Sequence, residues 1–202
     1  QENIEKIIRA VLALPNGFNI LVIDDGSPDG TAAIVKRLMA EEFTDRLFIV
    51  ERSGKLGLGT AYITGFKWAL EHGYDYIFEM DADFSHDPND LPRLYAACHD
   101  EGYDLAIGSR YVSGVNVVNW PIGRVLETIE LDKVRFKGYG FQIEMKFTAY
   151  KIGFKIKEVP VIFINRREGV SKMSGGIFGE AFFGVMRLRW DGWFRKYPKI
   201  KG

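Results

Sequence analysis

Short apolar runs alternate with helix-period segments through the first half of this chain, and that rhythm limits the fold more than any single motif. Ile4, Ile7, Ile8, Val11 and Leu12 recur at helical spacing until Pro15-Asn16-Gly17 stops them. Asn19 to Ile23 reads as a strand, and a helix carrying Ile34, Val35, Leu38 and Met39 follows. Leu47 to Val50 is the next strand, then a helix from about Thr60 to His72, a strand from Tyr74 to Met80, a helix from Pro88 to Glu101 and a strand from Asp104 to Gly108. Continuous apolar strands separated by helices make a mostly parallel sheet covered on both faces, an α/β three-layer sandwich. After Tyr111 the rhythm breaks. Ser113 to Arg124 reads as loop, Phe141 to Lys151 as helix, Lys155 to Ile164 as strand and Gly175 to Trp190 as a C-terminal amphipathic helix.

Ligands of such sheets bind beyond the carboxyl ends of the strands. The polar clusters at Asp24, Lys55, Asp81 and Ser109-Arg110 all fall at those ends, so one crevice can gather all four. Asp81 and Asp83 carry the sharpest chemistry. In extended backbone, side chains two apart share a face, so both carboxylates can converge on one hard cation, Mg²⁺ or Mn²⁺. Ser85 continues the alternation and can reach the same ion directly or through water, while His86 is expected at the surface or beside the ion rather than on it. A cation carrying a nucleotide diphosphate would offset the burial of two acids at a strand end. The pattern therefore points to a nucleotide-sugar transferase.

The other motifs have two readings each. Asp24 and Asp25 are neighbours on a strand and point to opposite sides. One is expected to face the crevice, where it can accept bonds from a base or a ribose, and the other to cap the Gly26-Ser27-Pro28-Asp29 turn. Gly54-Lys55-Leu56-Gly57-Leu58-Gly59-Thr60 lacks the Gly-Lys-Ser/Thr of a phosphate loop. Its glycines read as a tight turn into a helix, with Lys55 left to pair with a diphosphate. Arg166 to Lys172 is short, basic and glycine-containing, suited to closing over a leaving diphosphate or simply an exposed turn.

Lysine plus arginine and aspartate plus glutamate number 27 each, so the chain carries no net charge that would draw nucleic acid. Cys98 is the single cysteine, which rules out an internal disulfide and reads as a buried small apolar residue in a reducing compartment. No apolar stretch reaches the roughly 18–20 residues that cross a bilayer. Arg187 to Lys201 instead interleaves six basic residues and one acid with Trp190, Trp193, Phe194 and Tyr197. That mixture suits a membrane–water interface, or equally a docked helix with a solvated tail.

Taken together these motifs resemble the dolichol-phosphate mannosyltransferase branch of the inverting GT-A glycosyltransferases, family 2. The resemblance is carried by Asp24 to Thr31, Gly54 to Ala61, Asp81-Ala82-Asp83, Gly108 to Tyr111, Phe141 to Glu144 and Arg166 to Lys172, in family order over most of the chain. It implies a Rossmann-like GT-A catalytic domain over 1–174, with 175–202 as an interfacial helix and tail. It also implies metal-dependent transfer of mannose from GDP-mannose to a polyprenyl or dolichyl monophosphate, with inversion. By the resemblance, Asp81, Asp83 and Ser85 would hold Mg²⁺ or Mn²⁺. Asp24, Asp25, Lys55, Asp81 and Ala82 would line the donor site, Arg110, Arg166 and Lys172 would meet phosphates, and Gln142 and Glu144 would lie near the sugar or acceptor. A lipid acceptor implies peripheral attachment at the cytoplasmic face, through the tail or through small membrane-anchoring subunits.

A UDP-glucose-dependent prenyl-phosphate glucosyltransferase shares the aspartate motifs, and a non-catalytic nucleotide-sugar or membrane-adaptor module is the reading from another class. Two departures stand out. The family opens with a strand ending in a Pro-x-Tyr-Asn-Glu type segment, whereas this chain starts in a helix with no methionine, so Gln1 reads as other than the native start. Gly123-Arg124-Val125-Leu126 reads as a splice from which a mobile acceptor-side segment is absent, an expectation that an ordinary peptide bond between Arg124 and Val125 counts against.

Overall fold

The computed structural model describes residues 3–109, 123–136, 138, 140–162, 184, 186–190, 193 and 197–198. In chain order these form α1 (Ile4–Leu12), β1 (Ile20–Asp24), α2 (Thr31–Glu41), β2 (Leu47–Glu51), α3 (Leu58–Glu71), α4 (Leu91–His99), β3 (Leu105–Ser109), α5 (Gly123–Thr128), α6 (Gly140–Ile152) and β4 (Ile156–Pro160). The apolar stripe of α1 is fully buried, as its spacing requires. Asp87 accepts from the backbone N–H of Asn89 and starts a 3-10 turn over Pro88–Asp90, so α4 begins three residues later than Pro88.

Two parallel strand pairs carry the molecule. β1 lies beside β2 with Asp24 opposite Glu51, and β3 lies beside β4 with Ser109 opposite Pro160. Tyr74 to Met80, expected as a strand, joins no ladder among the described residues and bends at Asp75. Its side chains still alternate. Tyr76 and Phe78 pack with Leu94 of α4 and Ala106 of β3, while Ile77 packs with Phe66 of α3 and Phe141 of α6. The segment starts beside Asn19, whose side-chain amide donates to the Tyr74 hydroxyl at 2.9 Å. A cavity of about 570 Å³ lies between α1, β1 and this segment. Strands must approach within about 5 Å to share a ladder, and among the described residues the ladders form two separate pairs rather than the one expected central sheet.

The last two elements adjust the remaining expectations. α5 starts inside the stretch expected as loop and runs through Arg124–Val125 as one helix. β4 spans Ile156–Pro160, and the Val161 N–H still donates to the Ser109 carbonyl at 3.1 Å; Ile164, the expected end, lies outside the described residues. Most of the expected helix from Gly175 to Trp190 lies outside the described residues, which include residues 186–190 in helical form. Among the described residues no helix is long and apolar enough to cross a membrane. Cys98 is buried as expected, and burial pushes its thiol up to about 12.

Candidate active site

The acids at the end of β1 divide their tasks as opposite-facing neighbours should. Asp24 is buried, and its Oδ2 accepts from the backbone N–H groups of Gly26 and Ser27, both at 3.1 Å. It therefore shapes the turn. Asp25 is held bidentately by Arg52, with Nε to Oδ1 at 2.6 Å and Nη2 to Oδ2 at 2.7 Å. Arg52 also donates to Thr60 Oγ1 at 2.8 Å in the first turn of α3. One guanidinium thus ties the ends of β1 and β2 to a helix start. Lys55 is exposed in the loop that follows β2.

The second acidic turn follows the Tyr74–Met80 segment. Asp83 Oδ1 accepts from both the backbone N–H and the hydroxyl of Ser85, the former at 2.9 Å. Asp81 Oδ1 accepts from the Tyr62 hydroxyl at 3.3 Å, and the Asp81 backbone N–H donates to His86 Nδ1 at 3.3 Å. His86 is buried rather than at the surface, and its Nδ1 braces the turn from within. Phe84 sits at φ 59°, a left-handed conformation rare for a bulky residue, and residues 82–86 form turn and bend rather than the extended backbone expected to bring Asp81, Asp83 and Ser85 to one face.

Among the described residues no group of three or more His, Cys, Asp or Glu could by itself cage a metal. Two carboxylates with a hydroxyl beside them nevertheless fit a hard divalent ion of the kind that keeps waters and takes its remaining ligands from substrate phosphates. Mg²⁺ and Mn²⁺ both meet that description.

Helix α6 closes the site from the other side. Gln142 Nε2 donates to Glu79 Oε1 at 3.1 Å. Glu79 is 5% exposed; burial, then the nearby charge of Asp81, raises its carboxyl to about 8. Lys146, one turn further along α6, is lowered by its own burial against the opposing pull of Glu79 and Glu158. Phe141 stacks on Tyr62 with ring centroids 5.8 Å apart, so the ring that carries Asp81's hydroxyl partner is set by α6. Glu144, expected near the sugar or acceptor, is fully buried, and its Oε2 accepts from the backbone N–H groups of Arg135 and Phe136 at 2.9 and 3.1 Å. It anchors the segment entering α6.

Glycine makes this closure possible. A Cβ on Gly59 would lie 2.8 Å from the Phe136 carbonyl oxygen and 2.9 Å from the Phe141 side chain. Ser109 is buried at the end of β3. Arg110, Arg166 and Lys172 lie outside the described residues. Arg52, Tyr62 and Glu79 were not singled out by their sequence contexts, because each acts through a partner distant in the chain.

Comparison with known proteins sharpens these features. The model of glycosyl transferase family 2 matches residues 1–168. Undecaprenyl-phosphate mannosyltransferase of Micrococcus luteus is 42% identical over 210 residues, covering 86% of this chain and 85% of that protein. Polyprenol monophosphomannose synthase of Mycolicibacterium smegmatis is 42% identical over 217 residues, covering 92% and 81%. Both aligned stretches are longer than the share of this 202-residue chain they cover, so both relatives carry extra residues within the match. Among solved structures, the mannosyltransferase PcManGT from Pyrobaculum calidifontis in complex with GDP-Man and Mn²⁺ superposes with a TM-score of 0.66 at 16% identity. That match covers 98% of this chain and 62% of the other, and it shows the fold.

Proposed function

This chain belongs to glycosyl transferase family 2, and we propose that it transfers mannose from GDP-mannose to a polyprenyl monophosphate with inversion at the sugar. The observation that carries this is the 42% identity to two polyprenyl-phosphate mannose transferases over more than four-fifths of their lengths. The site chemistry agrees. Two acidic turns at one end of the parallel strands are what a nucleotide diphosphate with a divalent cation requires.

In this reading Asp81 and Asp83 hold the cation, with the Ser85 hydroxyl steadying Asp83. When bound, the ion neutralises charge developing on the departing diphosphate. Asp24 and Asp25 frame the nucleoside end, and Lys55, Arg110, Arg166 and Lys172 meet phosphates of donor or acceptor. A phosphate monoester is already anionic near neutral pH, so attack on the sugar needs no strong general base. The chain's tasks are alignment and stabilisation of the leaving group. Gln142, held at the mouth of α6, is placed to meet the sugar.

Residues 1–174 form the catalytic unit in this proposal, and the remainder rests on the membrane that holds the lipid. Trp190 and Trp193 are 63% and 68% exposed with ring centroids 6.0 Å apart, an amphipathic pair suited to a headgroup layer. The cytoplasmic face, where nucleotide sugars are made, is the side proposed. Attachment through separate anchoring subunits is the alternative, and removal of residues 186–202 separates the two by vesicle co-sedimentation.

The function is tested by incubating the protein with Mn²⁺, undecaprenyl phosphate and either GDP-mannose or UDP-glucose, then resolving the lipid products. Mannosyl-phosphoryl lipid, suppressed by GDP and not by UDP, is expected. Glucose transfer would favour the UDP-glucose reading, and binding without any product would reduce the protein to a non-catalytic module. Repeating the assay with Mg²⁺ decides the preferred ion.

A further inference from the structure

We propose that Glu79 is a positioning residue: by accepting the Gln142 amide it fixes the start of α6 against the turn bearing Asp81 and Asp83, and so sets how the sugar donor is held. The inference deepens the mannosyl-transfer reading above and rests on it.

A glutamate in the core needs a reason. At 5% exposure, Glu79 sits where its alternating neighbour Ile77 is apolar, and a third aliphatic residue would pack there without loss of hydration. What distinguishes position 79 is its company. The charge of Asp81 acts on it, and it meets Gln142 across 63 residues of sequence. Lys146 lies four residues beyond Gln142, hence on the same side of α6, and its charge acts on Glu79. The carboxyl is therefore the polar contact through which α6 registers on the segment leading into the acidic turn.

A second tie confirms the coupling of these elements. Phe141 stacks on Tyr62, and the Tyr62 hydroxyl donates to Asp81. Consecutive residues of α6 thus reach the segment at 79 and at 81 by separate routes. The Phe141 route is apolar and sets distance. The Gln142 route is directional: an amide that gives one N–H to Glu79 has its carbonyl oxygen and second N–H oriented by that bond. Without Glu79 the amide can rotate, and a sugar-facing group that rotates freely loses the alignment on which transfer depends.

The test uses the whole chain and the variants Glu79→Leu, Glu79→Gln, Gln142→Asn and the double Glu79→Leu/Gln142→Asn, each checked for wild-type melting. Steady-state mannosyl transfer is measured against GDP-mannose, and binding of GDP with Mn²⁺ by calorimetry. Glu79→Leu is expected to lower kcat/KM by roughly two- to tenfold near neutral pH, the range for loss of one hydrogen bond to a neutral group, while GDP–Mn²⁺ affinity stays within about 1.5-fold. Glu79→Gln keeps a carbonyl acceptor and is expected to recover most of the rate. The double variant should be little worse than either single one, because both break the same link.

Additive losses, or an unchanged kcat/KM in Glu79→Leu, overturn the inference. If Glu79→Leu does not fold, Gln142→Asn, which withdraws the amide by one methylene, carries the same expectation, and an unchanged rate there overturns it equally. A wild-type chain that binds GDP with Mn²⁺ but transfers no mannose sinks the proposed function. The inference then fails as well if the variants leave exchange of the α6 amides at 141–143 unchanged.

Discussion

Arg52→Ala is the substitution whose outcome the geometry fixes most closely. The Arg52 side chain is 8% exposed and its partner Asp25 25% exposed, with two charge-assisted bonds of 2.6 and 2.7 Å between them. Breaking a fully buried ion pair costs about 3–5 kcal/mol, whereas an exposed one is worth about 0–1 kcal/mol. Asp25 lies between those limits, and the 2.8 Å bond from Arg52 to Thr60 is lost as well. The expected destabilisation is therefore about 2–4 kcal/mol. Urea unfolding of Arg52→Ala, Asp25→Ala and the double variant measures it. The double variant should recover part of the loss, because it no longer strands a carboxylate beside Asp24, giving a coupling of about 1.5–3 kcal/mol. Because the pair is shielded, about 0.5 M salt should reduce that coupling only slightly. Strict additivity, or a loss below about 0.5 kcal/mol in Arg52→Ala, would refute the argument that this guanidinium joins β1, β2 and α3.

Three further outcomes are expected. Glu79 has a folded pKa of about 8 against an ordinary 4.5, so the folded state holds its proton more tightly. Its stabilising contribution is full below about pH 4.5 and is lost as pH rises through about 8, by at most roughly 5 kcal/mol at 1.4 kcal/mol per unit. Glu79→Gln should show a flatter stability profile across that window in metal-free buffer, and parallel profiles for the two proteins would contradict the assignment. Asp83→Ala should abolish Mn²⁺-dependent transfer while leaving the melting temperature within a few degrees, and near-normal activity would remove Asp83 from the metal site. Gly59→Ala drives a methyl to 2.8 Å from the Phe136 carbonyl oxygen, an overpacking that should cost about 1–3 kcal/mol by urea unfolding; a neutral result would mean that α6 can move away from α3 at no cost.

The rhythm of the chain announced α1 to α4, α6 and the four strands, because hydrophobic period is a local property that burial then enforces. It misjudged Tyr74 to Met80 for an instructive reason. Apolar alternation dictates side chains that pack on two faces in turn, and the segment does that; a ladder also needs a neighbour at bonding distance, which no local pattern can guarantee. The acidic motifs were legible as residue types at strand ends. Their partners were not. Arg52 with Asp25, Tyr62 with Asp81 and Gln142 with Glu79 are 27, 19 and 63 residues apart, and a pairing over such separations is created by the fold. Glu144 shows the same limit from the opposite side. Its motif neighbours suggested a ligand, while its carboxylate is occupied with the backbone of Arg135 and Phe136.

The two acidic turns stand at the ends of separate segments, and that separation has a mechanical meaning. Asp24 and Asp25 close β1, while Asp81 and Asp83 follow the Tyr74–Met80 segment, so the turns are separate abutments. A diphosphate donor reaching from one turn to the other would act as a keystone, stiffening the arch it spans, and the protein should resist heat and proteolysis more when loaded than when empty.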